Sequence, residues 1–194
     1  KPLIIANWKM NPVTLHQARA LFAAVRRGVR DARGVEVAIA PPFPYLAVFQ
    51  RYAKVALAAQ DVFWAEAGAY TGEVSPAMLA DLGVRYVIIG HSERRARGED
   101  NEAVNRKVRA VIAAGLRPVI AIGDAERESK EAVPPVLREE LTRALAGIPR
   151  RRLGRVVIAY EPVWAISTTP GSKPDTPDNA TRRAIYIRKL LTKL

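Results

Sequence analysis

Short apolar runs alternate with longer segments of helical periodicity along the whole chain of 194 residues. Each run has the length of a strand and lacks the polar alternation of a half-exposed one, as expected where helices cover the sheet. The predicted strands are residues 3–6, 35–40, 55–59, 86–89, 118–122 and 156–160. The alternation predicts six βα units and a parallel sheet.

Both a closed (β/α)8 barrel and an open doubly wound sheet fit this pattern. The glycine signatures of Rossmann and P-loop folds are missing, which weakens the second architecture. Thr14 with Gln17 forms a capping-box signal, and Ser75 and Thr176 each precede a proline at a predicted helix start. The inner face of the last helix is predicted to carry Ala184, Ile187, Leu191 and Leu194.

Composition narrows the class of protein. The chain is 49% hydrophobic and has no break in composition, so we expect a single domain over residues 1–194. No apolar run approaches the roughly 18 residues of a membrane span, and the start lacks a signal-peptide pattern. We therefore expect a cytoplasmic protein. Cysteine is absent and only His16 and His91 are present, so we expect no metal site.

The net charge of +12 raises the question of a nucleic-acid partner. The basic residues are scattered in short clusters, however, and no aromatic residues interleave them as in a stacking surface. A basic binding protein is kept only as an alternative, and we expect no nucleic acid among the partners.

Polar side chains follow the predicted strands at their carboxyl ends: Asn7 and Lys9, then Gln60, His91 and Glu161. In barrels and open α/β sheets this edge is where ligands bind. A carboxylate, an imidazole and an ammonium group suit proton transfer beside a carbonyl. The carboxylate takes a carbon-bound proton, the imidazole polarises oxygen and the lysine neutralises negative charge.

Four segments resemble the signatures of the triosephosphate isomerase family: "ANWKMN" (6–11), "GAYTGEVSPAML" (68–79), "YVIIGHSERR" (86–95) and "AYEPVWAI" (159–166). Their order and strand placement also match, from the first residues to the last helix. The resemblance implies a (β/α)8 barrel that interconverts dihydroxyacetone phosphate and D-glyceraldehyde 3-phosphate in glycolysis and gluconeogenesis. It implies no cofactor and no metal.

The resemblance also implies roles for the catalytic residues. Glu161 is expected to be the base, and His91 the electrophile that polarises the carbonyl and shuttles the hydroxyl proton. Lys9 is expected to bind substrate and stabilise the enediolate, while Asn7 holds the substrate oxygens. In that family a helix N-terminus keeps the histidine neutral, and the resemblance implies the same for His91.

Further roles follow from the same resemblance. Ser92 is expected to hold Glu161 at rest, Glu93 to support Lys9, and Thr71 to reach a partner's site in a homodimer or larger assembly. Pro162, Val163 and Trp164 form the expected hinge of a lid that closes over the phosphate. Ser167 and Gly171 of that lid are expected to bind the substrate.

This sequence departs from the family pattern in three places. The lid reads "AISTTPGSK", with Ser167 in place of a glycine, so Gly171 is expected to supply part of the lost backbone freedom. Ala121 replaces the cysteine of the fifth strand. The seventh and eighth units have no counterpart here, although such barrels take about 250 residues.

The missing units leave strands one and six with predicted unpaired edges. Two explanations stay open: an isomerase whose sequence is truncated or is completed by association, and a shortened, non-catalytic barrel that acts in assembly.

Overall fold

The computed structural model of the chain describes residues 1–49, 55–124, 134–167 and 170–193. Strands and helices alternate along these residues, which confirms the predicted succession of βα units. The elements are β1 Leu3–Asn7, α1 Leu15–Gly28, β2 Glu36–Ala40, α2 Phe43–Phe49, β3 Ala56–Ala59, α3 Pro76–Asp81, β4 Val84–Ile89, α4 Ser92–Arg95, α5 Asn101–Ala113, β5 Arg117–Ile122, α6 Pro135–Ala144, β6 Val157–Tyr160 and α7 Pro177–Leu191. Two 3-10 helices, Arg150–Arg155 and Val163–Ala165, flank β6.

Contacts divide the chain into two compact units. The first comprises residues 1–88 with 110–118, and the second comprises residues 89–109 with 119–194. In the first unit, β1 to β4 are parallel and neighbour one another in chain order. The register sets Asn7 opposite Ala40, so the carboxyl ends of β1 and β2 meet at one edge.

The core of the first unit forms between this sheet and its helices. Thr14 caps α1 by accepting a hydrogen bond from the backbone N–H of Gln17 at 3.2 Å, as the capping signal predicts. The helix then buries Phe22, whose ring stacks on that of Phe49 from α2 with centroids 4.3 Å apart. On the sheet side Ile39 is fully buried.

A charged cluster lies at the amino ends of strands in this unit. Glu36 at the start of β2 pairs with Arg85 of β4 at 2.5 Å. Arg117 of β5 donates a hydrogen bond to the hydroxyl of Tyr86 at 3.2 Å. Burial raises the pKa of Glu36, but the hydrogen bonds from Arg85 and Tyr86 and the nearby guanidinium charges outweigh it and lower the pKa below its ordinary value.

In the second unit β5 and β6 run parallel, with Val119 opposite Val157 and Ile122 opposite Tyr160. β5 is almost completely buried, whereas the residues of β6 are half-buried. Helices α5 and α6 supply the other side of this core with valines and leucines at helical spacing: Val104, Val108, Leu137 and Leu141. The unit therefore has its own apolar core.

The inner face of α7 differs from the prediction. Thr176 caps the helix as predicted, but Ala184 is exposed and the buried residues are Arg183 and Ile187. Arg183 is 4% exposed, and its side chain hydrogen-bonds the hydroxyl of Tyr160 at the end of β6. Leu194 lies outside the described residues.

The predicted strand edges are present in the described part of the chain. There β1 pairs only with β2, and β6 pairs only with β5. Ile4 of β1 is 58% exposed, although the sequence predicts a buried strand, because β1 has a paired neighbour on one side alone among these residues.

Candidate active site

His91 stands between β4 and α4, where it caps the helix with its own side chain. Its Nδ1 accepts a hydrogen bond from the backbone N–H of Glu93 at 3.2 Å. Because a protonated Nδ1 cannot accept, this contact selects the neutral imidazole with its proton on Nε2. The side chain is 14% exposed, so Nε2 is a donor in a partly desolvated place.

Glu161 follows β6 directly and faces His91. Its Oε1 lies 3.1 Å from the imidazole Nε2, and its Oε2 accepts a hydrogen bond from the backbone N–H of Ser92 at 3.0 Å. The backbone N–H of Glu161 donates to the carbonyl of Ile122 at 2.8 Å, which continues the pairing of β6 with β5. Both carboxylate oxygens are therefore engaged in this position, Oε1 with His91 and Oε2 with Ser92.

The residues after Glu161 form a short stiff segment. Pro162 precedes the 3-10 helix Val163–Ala165, and the N–H of Val163 donates to the carbonyl of Asp124 at 3.0 Å. The side chain of Asp124 accepts a hydrogen bond from the hydroxyl of Tyr160 at 2.9 Å, one residue before Glu161. Burial and this hydrogen bond raise the pKa of Tyr160. Asp124 thus anchors the backbone on both sides of Glu161.

A cavity of about 290 Å³ lies beside Glu161 in the second unit, lined by Gly123, Arg95, Glu140 and Val163 among others. Glu140 of α6 accepts a hydrogen bond from the N–H of Gly123 at 3.0 Å, and its other oxygen lies 3.5 Å from Nε of Arg95. Burial raises the pKa of Glu140, while the Arg95 charge and the Gly123 N–H act in the opposite direction. The wall of the cavity is therefore polar as well as apolar.

Asn7 and Lys9 lie in the first unit, after β1. Lys9 has a φ of 52°, the left-handed region that residues other than glycine rarely adopt. Its N–H donates to Oδ1 of Asn7 at 2.9 Å, and Gln60 donates to the carbonyls of Lys9 and Ala40, each at 2.8 Å. Strained backbone of this kind persists where the surroundings hold it, often at functional sites.

The remaining predicted residues have different environments. Glu93 is in the second unit with its side chain 48% exposed, and its carboxylate lies 3.8 Å from Nδ1 of His91. Thr71 is exposed in the loop before α3. Ser167 and Gly171 are also exposed, and Gly171 has a φ of 72° in the left-handed region that favours glycine. Residues 168 and 169 of the lid lie outside the described residues.

Sequence reasoning missed a set of buried charged residues behind the site: Glu99, Lys107, Asp124 and Glu140. Charged residues are rarely buried and usually lie at the surface, so the burial of these four has no local signal in the sequence. Among the described residues, no group of three or more histidine, cysteine or acidic side chains that could hold a metal ion occurs. No helix in the described ranges is long and apolar enough to cross a membrane.

The sequence is similar to known proteins of one family. The sequence profile of triosephosphate isomerase matches residues 2–194. The triosephosphate isomerase of Pelobacter propionicus is 46% identical over 197 residues, which cover 98% of this chain and 76% of that protein. Those of Carboxydothermus hydrogenoformans and Geobacter metallireducens are 41% and 44% identical over 199 residues, which cover all of this chain and 78% and 77% of theirs.

These matches decide between the two architectures that the sequence leaves open, because the family fold is the (β/α)8 barrel. The match extends over nearly the whole chain, and the identities are far above the level at which only the fold is shared. The chain belongs to the triosephosphate isomerase family.

Proposed function

We propose that the chain interconverts dihydroxyacetone phosphate and D-glyceraldehyde 3-phosphate, a step of glycolysis, by proton transfer through an enediolate. The observation that carries the proposal is the pairing of an imidazole and a carboxylate, with Nε2 of His91 3.1 Å from Oε1 of Glu161. One group can give a hydrogen bond to oxygen while the other takes a proton from carbon.

Glu161 is the base in this reaction. It takes the proton from C1 of dihydroxyacetone phosphate, the electron pair forms the C1–C2 double bond, and negative charge develops on the C2 oxygen. The same carboxyl group then returns the proton to C2 to give the aldehyde. The backbone N–H of Ser92 holds one oxygen of Glu161 at rest, and we propose that the side chain turns toward the substrate as the lid closes.

His91 stabilises the charge that develops on oxygen. Its Nε2–H donates to the carbonyl oxygen at C2, and the ring then passes the hydroxyl proton from the C1 oxygen to the C2 oxygen. The hydrogen bond from the Glu93 N–H to Nδ1 supports this role, because it keeps the ring neutral and its proton on the nitrogen that faces the carboxylate.

Lys9 and Asn7 bind the substrate in this proposal. The ammonium group of Lys9 neutralises the phosphoryl ester and the enediolate, and the amide of Asn7 holds the substrate oxygens. The strained backbone of Lys9, held by Asn7 and Gln60, supports the assignment because such strain is otherwise unfavourable by about 1–3 kcal/mol. Ser167 and Gly171 bind the phosphate when the lid closes.

The proposal includes the setting of the enzyme. It acts in the cytoplasm on a free phosphorylated triose, with no cofactor, and forms a homodimer or larger assembly in which the exposed Thr71 reaches the partner. Sedimentation analysis tests the assembly: a single species of monomer mass at micromolar concentration contradicts it.

An isomerisation assay on matched variants tests the function. We expect His91→Gln to lower kcat by about 10²–10⁴-fold, because it removes the group that polarises the carbonyl and passes the hydroxyl proton. Glu161→Asp draws the carboxylate back by about 1 Å and is expected to lower kcat about 100-fold. His16→Gln, which changes the other, exposed histidine, is the control and should keep full activity.

The outcome also separates the alternatives. A folded wild-type chain without isomerase activity supports the non-catalytic barrel. A steep loss of nucleic-acid affinity with added salt would support the basic binding protein.

A further inference from the structure

A buried ion pair lies behind His91. The side chains of Glu99 and Lys107 are each 4% exposed, and Nζ of Lys107 binds Oε1 of Glu99. Lys107 belongs to α5, and Glu99 lies two residues before that helix. Removing two charges from water is unfavourable, so buried ion pairs often contribute little net stability. The reaction proposed above does not use either residue directly.

The second oxygen of Glu99 contacts the backbone next to His91. Oε2 accepts a hydrogen bond from the N–H of Gly90 at 3.0 Å. On the other side, the carbonyl of Gly90 accepts from Nε of Arg95 at 2.9 Å. Asn101 fixes Arg95 by accepting from its Nη1 at 2.8 Å. Both peptide groups that flank the α-carbon of Gly90 are therefore held by charged side chains.

Gly90 is the position where such support matters. Its φ of 74° lies in the left-handed region, and a Cβ there would come within 3.2 Å of the carbonyl of Ala121 and of Val104. Glycine is thus required, and glycine has the freest backbone of all residues. The peptide between Gly90 and His91 sets the direction of the imidazole, so a loose Gly90 would leave Nε2 poorly aimed.

We propose that Glu99, neutralised by Lys107, is a positioning residue that fixes the Gly90–His91 backbone and thereby aims the imidazole at the reacting oxygens. The proposal rests on the function proposed above, because it assigns the purpose of the contact to catalysis. It explains why a charge is buried here: a carboxylate is a stronger acceptor for a backbone N–H than a neutral group is.

Two double variants that differ by one accepting oxygen test the proposal. E99Q/K107M removes both charges but keeps a side-chain carbonyl for the Gly90 N–H. E99M/K107M has nearly the same shape but lacks an acceptor. We expect E99M/K107M to lower kcat about tenfold or more without changing KM, because small misplacement of a catalytic group is costly. E99Q/K107M should recover most of that loss.

Nitrogen-15 spectra of the ring give a readout that does not need activity. The chain has only two histidines, so exposed His16 serves as an internal reference. The wild type should show His91 with Nε2 protonated and Nδ1 bare. In E99M/K107M we expect broadened or multiple His91 signals, while His16 is unchanged. V108A, a buried control on α5, separates general loss of stability from this effect and should leave the His91 signals as in the wild type.

Several results overturn the proposal. If the two double variants have equal kcat, whether high or low, the accepting oxygen does not position His91. If E99M/K107M does not fold, hydrogen exchange in the wild type decides: exchange of the Gly90 amide as fast as that of an exposed loop amide refutes the hydrogen bond. If the wild type does not isomerise triose phosphates, the proposed function fails, while the ring spectra still report whether Glu99 orients His91.

Discussion

Replacing Gly123 with alanine should disable the site without touching a catalytic side chain. An ideal Cβ at Gly123 would lie 1.9 Å from the carbonyl oxygen of Glu161 and 2.9 Å from its carbonyl carbon. Ordinary contact begins at 3.4 Å, so the two backbones must separate by about 1.5 Å. The strain is purely steric, since Gly123 has no positive φ.

That displacement acts on the base itself. The N–H of Glu161 is bonded to the carbonyl of Ile122, so separating the chains also weakens the end of the β5–β6 pairing. A misplacement of 1 Å lowers a rate by about 100-fold, and we expect Gly123→Ala to lower kcat by at least about that factor. Overpacking should also lower the free energy of unfolding by about 1–3 kcal/mol.

The assay is initial-rate isomerisation with an NADH-coupled readout, together with urea unfolding of the same preparation. Gly154→Ala is the matched control, because nothing lies within 4 Å of a Cβ there and its φ is not positive. That control should change the free energy of unfolding by about 1 kcal/mol at most and leave kcat intact. Wild-type kcat and stability in Gly123→Ala would refute the steric reasoning.

Three further predictions follow from single contacts. Ser92→Pro removes the backbone N–H that holds Glu161, and proline is tolerated at the first residue of a helix. A crystal structure of this variant should show the Glu161 carboxylate turned away from residue 92. In Ser92→Ala the backbone N–H remains, and the carboxylate should stay in place. Tyr160→Phe leaves Asp124 without a buried donor and should cost about 1–3 kcal/mol in urea unfolding, with a smaller cost for Asp124→Asn, which keeps an accepting oxygen. Because the pKa of Glu36 is lowered on folding, the ionised carboxylate stabilises the fold at pH values above its ordinary pKa of 4.5, and this stabilisation is lost as the pH falls below that value. The difference in unfolding free energy between wild type and Glu36→Gln should therefore shrink from pH 7 to pH 3. A constant difference contradicts the assignment.

Features that depend on neighbouring residues were predictable from the sequence. The caps at Thr14, Ser75 and Thr176 each bind an N–H three residues later, so the signal and the contact lie within one turn. The positions of His91 and Glu161 after strands were equally local, because a polar residue directly after an apolar run must emerge at the sheet edge. In the structure, Nε2 of His91 lies 3.1 Å from Oε1 of Glu161.

Features that depend on distant residues were not predictable in this way. Glu140 contacts Gly123 seventeen residues earlier in the chain, and Arg183 reaches Tyr160 from another element. On a helical projection both appear as ordinary solvated charges, and Ala184 appears as the better inward residue. Only the fold reveals that a backbone N–H or a tyrosine hydroxyl lies within reach, and that this contact favours burying the charge.

The buried charges behind the site share one physical purpose. Gly90 and Gly123 each lie directly next to a catalytic residue, either in sequence or in space, and each has its N–H held by a buried glutamate. A side chain at Gly123 would collide with Glu161, and one at Gly90 would be crowded and strained by the φ of 74°, so side chains of their own cannot fix these positions. Hydrogen bonds to acceptor side chains hold these positions instead, and a carboxylate makes a stronger bond than a neutral acceptor does. Burying these carboxylates costs desolvation energy. That cost is tolerated because the carboxylates hold two glycines at positions where catalysis requires both close approach and a rigid backbone.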